Sequence, residues 1–240
     1  MMEILAEGAT ALGLPLTGAQ LAQFQAYYEM LADWNTRVNL TAITDPVGVQ
    51  TRHFLDALAV AAALPAPTEG NARLIDLGTG AGLPGLPLKI LWPGIGLTLV
   101  DSVGKKTVFL RAVVETLGLV GVTVLTTRAE ELGHDRAHRA AYDVVTARGV
   151  AALSVLAEYG LPLCRVGGMM LAPKKGDLAA ELATAARAMP KLGGGEISLY
   201  RYALPGETKG RVVVRLPKAG PTPSGYPRRV GLPSSRPLGK

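Results

Sequence analysis

The sequence predicts an α/β fold: a mainly parallel seven-stranded sheet with helices on both faces, finished by an antiparallel hairpin and preceded by a helical region. Three observations carry that prediction. From Arg73 onward, short apolar or β-branched runs alternate with helical ones, the pattern of parallel strands joined by crossover helices. The last two runs, GEISLYRYAL and RVVVRLP, are separated only by PGETKG, which is too short for a crossover and so implies a hairpin. Hydrophobic residues make up 48% of the 240 residues and aromatic ones only 5%, so the interior is aliphatic and large enough for one main core.

At the N-terminus, Thr17-Gly-Ala-Gln20 places a capping hydroxyl three residues before a glutamine, and Leu21, Phe24, Tyr28 and Leu31 follow at helical spacing. A weaker helix is expected over 2–12, stopped by Gly13, and another over 53–64. Tyr27, Tyr28 and Trp34 fit a core face better than a base-stacking platform. LPAPTEGNA, at 64–72, reads as a linker. The strands expected are RLIDLG, GLTLVDS, VTVLTTR, YDVVTAR and GGMMLAPK, with helices over 84–92, 105–117, 152–161 and 177–189 between them. The division expected is a helical region over 1–70, a sheet domain over 71–217 and a basic, Pro-rich tail over 218–240.

Five cations (Lys218, Arg228, Arg229, Arg236 and Lys240) lie beyond Pro217 with no acid among them, so the tail carries most of the net charge of +6. Its prolines disfavour a regular helix and favour an extended, mobile arm suited to a polyanion. The plainer alternative is a solubilising tail with no partner. The single cysteine, Cys164, has no partner for a disulfide or a CxxC pair, which fits a reducing compartment. Glu3 and Glu7 stand where a signal peptide carries cations, and ALAVAAAL is too short to span a bilayer, so a soluble cytoplasmic protein without membrane contact is expected. A monomer is expected. His134 and His138 lack further ligands at metal-site spacing, and no metal is expected.

The chemistry concentrates after the first strand, where Asp76 ends the strand and Gly78, Gly80 and Gly82 alternate through the turn. Gly80, Gly82 and Gly85 formally satisfy the dinucleotide fingerprint, with Asp101 at the place of a ribose-binding acid, so an NAD-dependent oxidoreductase is a rival reading. A carboxylate beside that turn repels a pyrophosphate, whereas S-adenosylmethionine has no phosphate and brings two positive groups. The glycines let backbone approach the ligand, with Asp76 balancing its charge directly or through water; a merely tight turn is the alternative. Asp101 suits the ribose hydroxyls, or else caps the next helix. Ala129 and Glu130, in the Arg-Ala-Glu-Glu run, suit the adenine, although Glu130 also fits a first-turn acid. Arg148 closes the fourth strand at the same crevice. No (Asn/Asp)-Pro-Pro-aromatic motif for holding an exocyclic amine follows it. Guanine N7 needs no such motif, because its lone pair is available and no proton leaves on attack. No catalytic base is therefore expected, and positioning carries the reaction.

The five parallel strands and terminal hairpin are similar to the class I S-adenosylmethionine-dependent methyltransferase (Rossmann-like) fold. More specifically, WNTRVNLTAI, RHFLDAL, LIDLGTGAGLPGLPLKI, LVDSVGKKTVFL, the Arg-Ala-Glu-Glu run, DVVTARGVA and APKKG resemble, in order, the motifs of the bacterial ribosomal small subunit methyltransferase G family, also called glucose-inhibited division protein B. The resemblance covers about residues 20–217. It implies methyl transfer from S-adenosylmethionine to N7 of a guanine, position 527, in the 530 loop of 16S rRNA, with the rRNA or an assembling small subunit as partner. It also implies cofactor contacts from Gly78, Leu83, Asp101, Ala129, Glu130 and Arg148; Ser102, beside Asp101, joins Asp76, Gly80 and Gly82 as a candidate. A chain of this family is expected to end near the last strand, which makes the tail a departure. Candidates for RNA contact are Arg52, His53, Lys105, Lys106, Lys174, Lys175, Arg228 and Arg229, with His53 also fitting a packing role. A non-catalytic rRNA-binding assembly factor is the remaining alternative.

Overall fold

A computed structural model describes residues 2–64, 70–207 and 210–240. Most of the expected linker lies outside the described residues. Helix α1 (Glu3–Ala11) precedes α2 (Gly18–Asn35), whose capping box forms as the sequence implies. Thr17 Oγ1 accepts the Gln20 N–H at 3.2 Å, and Gln20 Oε1 accepts the Thr17 N–H at 2.8 Å. Gln20 Nε2 also donates to the carbonyls of Ile90 and Leu91, so one side chain starts this helix and docks it on the sheet domain. Helical structure then begins earlier than position 53. Asp45 caps α3 (Pro46–Gly48), which runs through a π-helical turn, Val49–Leu55, into α4 (Asp56–Ala62). The missed signal is Asp45-Pro46, a capping acid followed by a proline at the first helical position.

The rest alternates as expected: β1 (Arg73–Leu77), α5 (Gly85–Leu91), β2 (Gly96–Asp101), α6 (Gly104–Thr116), β3 (Val122–Thr126), a short α7 (Ala129–Leu132), β4 (Tyr142–Ala147), α8 (Leu153–Gly160), β5 (Cys164–Lys175), α9 (Ala179–Ala188), β6 (Ser198–Tyr202) and β7 (Arg211–Pro217). The sheet order is β3-β2-β1-β4-β5-β7-β6, with β7 antiparallel to both neighbours. Strand order reverses between β1 and β4, so the crevice for a ligand opens at their carboxyl ends. Alternation along β1 divides the core: Leu74 joins Phe24 and Phe54 of the N-terminal helices and Phe109 of α6, while Ile75 and Leu77 join α8 and β5 on the opposite face. No helix among the described residues is long and apolar enough to cross a membrane.

The tail does not behave as a mobile arm. It lies along the sheet domain and ends in a short helix, α10 (Leu232–Ser235), which carries Pro233 in its first turn. Glu158 on α8, fully buried, accepts the Arg228 backbone N–H at 2.9 Å, Nε at 2.8 Å and Nη2 at 2.6 Å. Arg139 donates to the carbonyls of Gly133, Thr222, Pro223 and Tyr226, and His134 Nε2 lies 2.7 Å from the Pro227 carbonyl. Proline content favours an extended chain, and these long-range partners decide where that chain lies. Arg228 is thus a structural cation and not a free RNA contact; Arg229 is exposed.

The Arg228→Ala variant leaves the Glu158 carboxylate buried without its charged partner, and urea unfolding should show a loss of about 3–5 kcal/mol. Arg229→Ala should stay within about 0.5 kcal/mol of the parent chain.

Candidate cofactor crevice and nucleic-acid interface

Asp76 reaches the end of β1 and is fully buried. Its Oδ2 accepts the Thr79 hydroxyl at 2.5 Å and the Gly85 N–H at 3.0 Å, and its Oδ1 accepts the Thr146 hydroxyl at 2.8 Å. Burial pushes its carboxyl up to about 6, against the opposing pull of these three donors and of Arg148. Asp76 does not line the crevice that the turn borders; it ties the turn to α5 and β4 from beneath. The same contact disposes of the dinucleotide reading. The Gly85 amide at the head of α5, where a pyrophosphate would sit, is committed to a buried carboxylate.

The acid that does face the crevice is Asp101, at the end of β2. Its Oδ2 accepts the Gly80 N–H at 3.0 Å and its Oδ1 accepts the Val103 N–H at 2.9 Å. Gly80 holds φ +60° to make that bond, while a Cβ on Gly78 would lie 2.6 Å from Val150 Cγ2, inside the crevice. The crevice has a volume of about 200 Å³ and is lined by Gly78, Asp101, Ser102, Ala129, Glu130, Val150, Tyr159 and Ser234, among others. Five of the predicted cofactor residues meet here: Gly78, Asp101, Ser102, Ala129 and Glu130. Gly80 supports Asp101 through its amide. Gly82 packs under Leu86 and the Tyr27 hydroxyl, and Leu83 lies in the core, so neither lines this space.

Arg148 lines a second, basic concavity of about 490 Å³, with Arg52, His53, Asp56, Lys174, Lys175, Tyr202 and Arg211. At its floor Asp56, 3% exposed, accepts Arg148 Nη1 at 2.9 Å through Oδ2, and Tyr202 Oη at 2.5 Å and Arg211 Nη1 at 2.9 Å through Oδ1. Arg148 also donates to the Arg52 carbonyl at 3.2 Å, and Glu207 grips Arg211 with both oxygens. Sequence reading missed Asp56, Tyr202 and Arg211. An acid in RHFLDAL, followed by ALAVAAAL on a helix with almost no polar face, was the available signal, because a carboxylate there has to be paired. Lys174 is held by Glu181 at 2.6 Å and the Ala151 carbonyl at 2.8 Å; Arg52 and Lys175 are exposed at the rim. Lys105 and Lys106 open α6 outside both concavities. The two spaces share one wall: Arg148 and Gly149 face the basin, Val150 and Ala151 the crevice.

His53 is a neutral, fixed imidazole. Its Nδ1 lies 3.2 Å from the Arg52 carbonyl, which can only accept, so Nδ1 carries the proton and Nε2 accepts the Thr41 hydroxyl at 2.7 Å. Burial, with Arg148 adding, pushes its pKa down to about 4.

This sheet order, with a crevice beyond the carboxyl ends of β1, β2, β3 and β4, is that of the class I S-adenosylmethionine-dependent methyltransferase fold, and together with the family match it makes S-adenosylmethionine the cofactor. A family model described as rRNA small subunit methyltransferase G matches residues 20–203, and the chain belongs to that family. It is similar to the ribosomal RNA small subunit methyltransferase G of Roseiflexus sp. (strain RS-1), 52% identical over 99% of this chain and 100% of that protein. The corresponding protein of Dehalococcoides mccartyi (strain CBDB1) is 46% identical over the same shares. Among solved structures, a precorrin-6y C5,15-methyltransferase from Geobacter metallireducens shares the fold with a TM-score of 0.52 and 12% identity, covering 68% of this chain and 87% of that one. Both relatives match over 99% of this chain, so each carries a counterpart of the tail, which lies beyond the stretch that the family model matches.

His53 contributes stability that is fully present above its ordinary pKa and is lost as pH falls toward about 4. Asp76, with its pKa raised to about 6, works in the opposite direction, because the folded state favours its protonated form. His53→Gln should remove only the first effect. On going from pH 7 to pH 5, denaturant titrations should show this variant gaining about 1–2 kcal/mol relative to the parent chain.

Proposed function

We propose that the protein transfers the methyl group of S-adenosylmethionine to N7 of a guanine in the 530 loop of 16S rRNA, position 527. The observation that carries this reading is the pair of concavities divided by the 148–151 segment, one acid-lined beneath the glycine turn and one basic. The donor set fits the cofactor. Gly78 lines the crevice without a side chain, Asp101 offers a carboxylate beside the ribose position, and Ala129 and Glu130 flank the adenine side. Bound there, the cofactor supplies an electrophilic methyl group on a sulfonium.

The chain's own contribution is alignment. Arg52 and Lys175, exposed at the rim, and Arg148, pinned by Asp56, suit phosphates or the acceptor edge of a base. In this reading Arg148 serves the RNA and not the cofactor, a reassignment favoured by its place in the basin. Attack by N7 releases no proton, and His53, with both ring nitrogens engaged and its pKa at about 4, is not a base near neutrality. The three stretches 1–70, 71–217 and 218–240 then act as one unit: the first supplies Arg52, His53 and Asp56 to the basin, the second most of the crevice, and the third Ser234 at the crevice.

Borohydride reduction followed by aniline cleaves RNA at N7-methylguanosine, and primer extension reads the position. Incubation with free 16S rRNA, assembling particles and mature small subunits should produce one new stop in the 530 loop for at least one substrate, at a rate nearly constant between about pH 7 and 8. Arg148→Ala should raise the KM for RNA about tenfold while S-adenosylhomocysteine binding changes little. Methyl incorporation without cleavage would assign another acceptor atom. No incorporation into any particle would favour the assembly factor.

A further inference from the structure

The C-terminal segment reaches the crevice into which the glycine turn opens. Ser234 lines that space together with Asp101 and Ala129. Two hydrogen bonds hold the segment there. The Gly231 N–H donates to Oε1 of Glu130 at 3.1 Å, and the hydroxyls of Ser234 and Tyr159 lie 2.9 Å apart. Glu130 and Tyr159 are themselves part of the lining, and Glu130 is only 5% exposed. Gly231 makes its bond at φ +82°, a conformation that side chains strain against.

The segment is also fastened away from the crevice, which separates its position from any ligand. Arg228 sits on Glu158, Arg187 Nε donates to the Gly239 carbonyl at 2.6 Å, and Pro233 and Leu238 are buried. An arm serving only to meet a polyanion would leave its cations and backbone free. Here Lys218, Arg228 and several backbone groups of the segment are spent on the fold.

We propose that residues 230–240 form the outer wall of the cofactor crevice and are a binding determinant for S-adenosylmethionine, Ser234 meeting the nucleoside end and Gly231 fixing the rotation of the Glu130 carboxylate. This rests on assigning the crevice to the cofactor. A wall on this side excludes water from the Glu130 carboxylate, which strengthens any hydrogen bond it accepts.

The test is calorimetric titration of S-adenosylhomocysteine into three variants: truncation after Arg229, Ser234→Ala and Asp101→Ala. The truncation keeps the Arg228–Glu158 pair and the carbonyls that Arg139 binds. With circular dichroism unchanged, it should weaken binding at least about tenfold, and Ser234→Ala should weaken it about three- to tenfold, as loss of one hydrogen bond predicts. A folded truncation that binds within about twofold of the intact chain overturns the proposal. If the truncation does not fold, Ser234→Ala decides by the same margin. Asp101→Ala separates the two levels of the argument. Weak binding there, with intact binding in the other variants, removes the wall alone; intact binding there removes the crevice assignment and the wall with it.

Discussion

The site depends on a carboxylate sealed beneath the glycine turn. Asp76 is fully buried and gathers three donors, the Thr79 hydroxyl from the turn, the Gly85 amide from the head of α5 and the Thr146 hydroxyl from β4. Burying an acid is costly unless its oxygens are satisfied, so each part is held in place: without Thr146, Oδ1 has no partner, and without Thr79 or Gly85, Oδ2 keeps only one. That constraint fixes the turn relative to β4, and β1 and β4 are the strands between which the crevice opens. The residual cost appears as a pKa lifted to about 6, still low enough for the acid to be mainly charged near neutrality.

A second acid repeats the device on the other side of the 148–151 wall. Asp56 comes from the N-terminal helices, yet its oxygens hold Arg148 after β4, Tyr202 on β6 and Arg211 on β7. The helical region is thereby joined to three strands through one side chain, and two guanidinium groups that would repel each other are kept in a single basin. Arg148 is then positioned by two residues of the preceding helical segment, Asp56 and the Arg52 carbonyl. The geometry of the basin is set by helix packing as much as by the sheet.

Much of this was legible in the sequence, and what was legible is local. The Thr17 capping box, the βα alternation and the short hairpin connection are decided within a few residues, and each appears in the structure. The glycine turn was legible as a place but not as a mechanism. Strand-end position drew attention to both Asp76 and Asp101, but strand periodicity does not report which carboxylate is sealed by Thr146, seventy positions along the chain. The Asp56 cluster and the Arg228–Glu158 pair are hidden for the same reason, since their partners are brought together only by the sheet order.

The tail shows how far composition misleads when partners are remote. Proline content and like charge describe how a segment behaves alone in water, and both argue for an extended, solvated arm. Extension is the part that survives: the segment is mostly irregular, and that irregularity leaves carbonyls at Thr222, Pro223, Tyr226 and Pro227 available to Arg139 and His134, the Pro223 carbonyl also accepting the Tyr226 N–H. A proline-rich chain needs side-chain donors from elsewhere to be held down, and a buried acid such as Glu158 needs a cation from elsewhere to be tolerated. Each deficiency answers the other. The excess charge that suggested an external polyanion is in part the complement of an acid on α8, within the same chain.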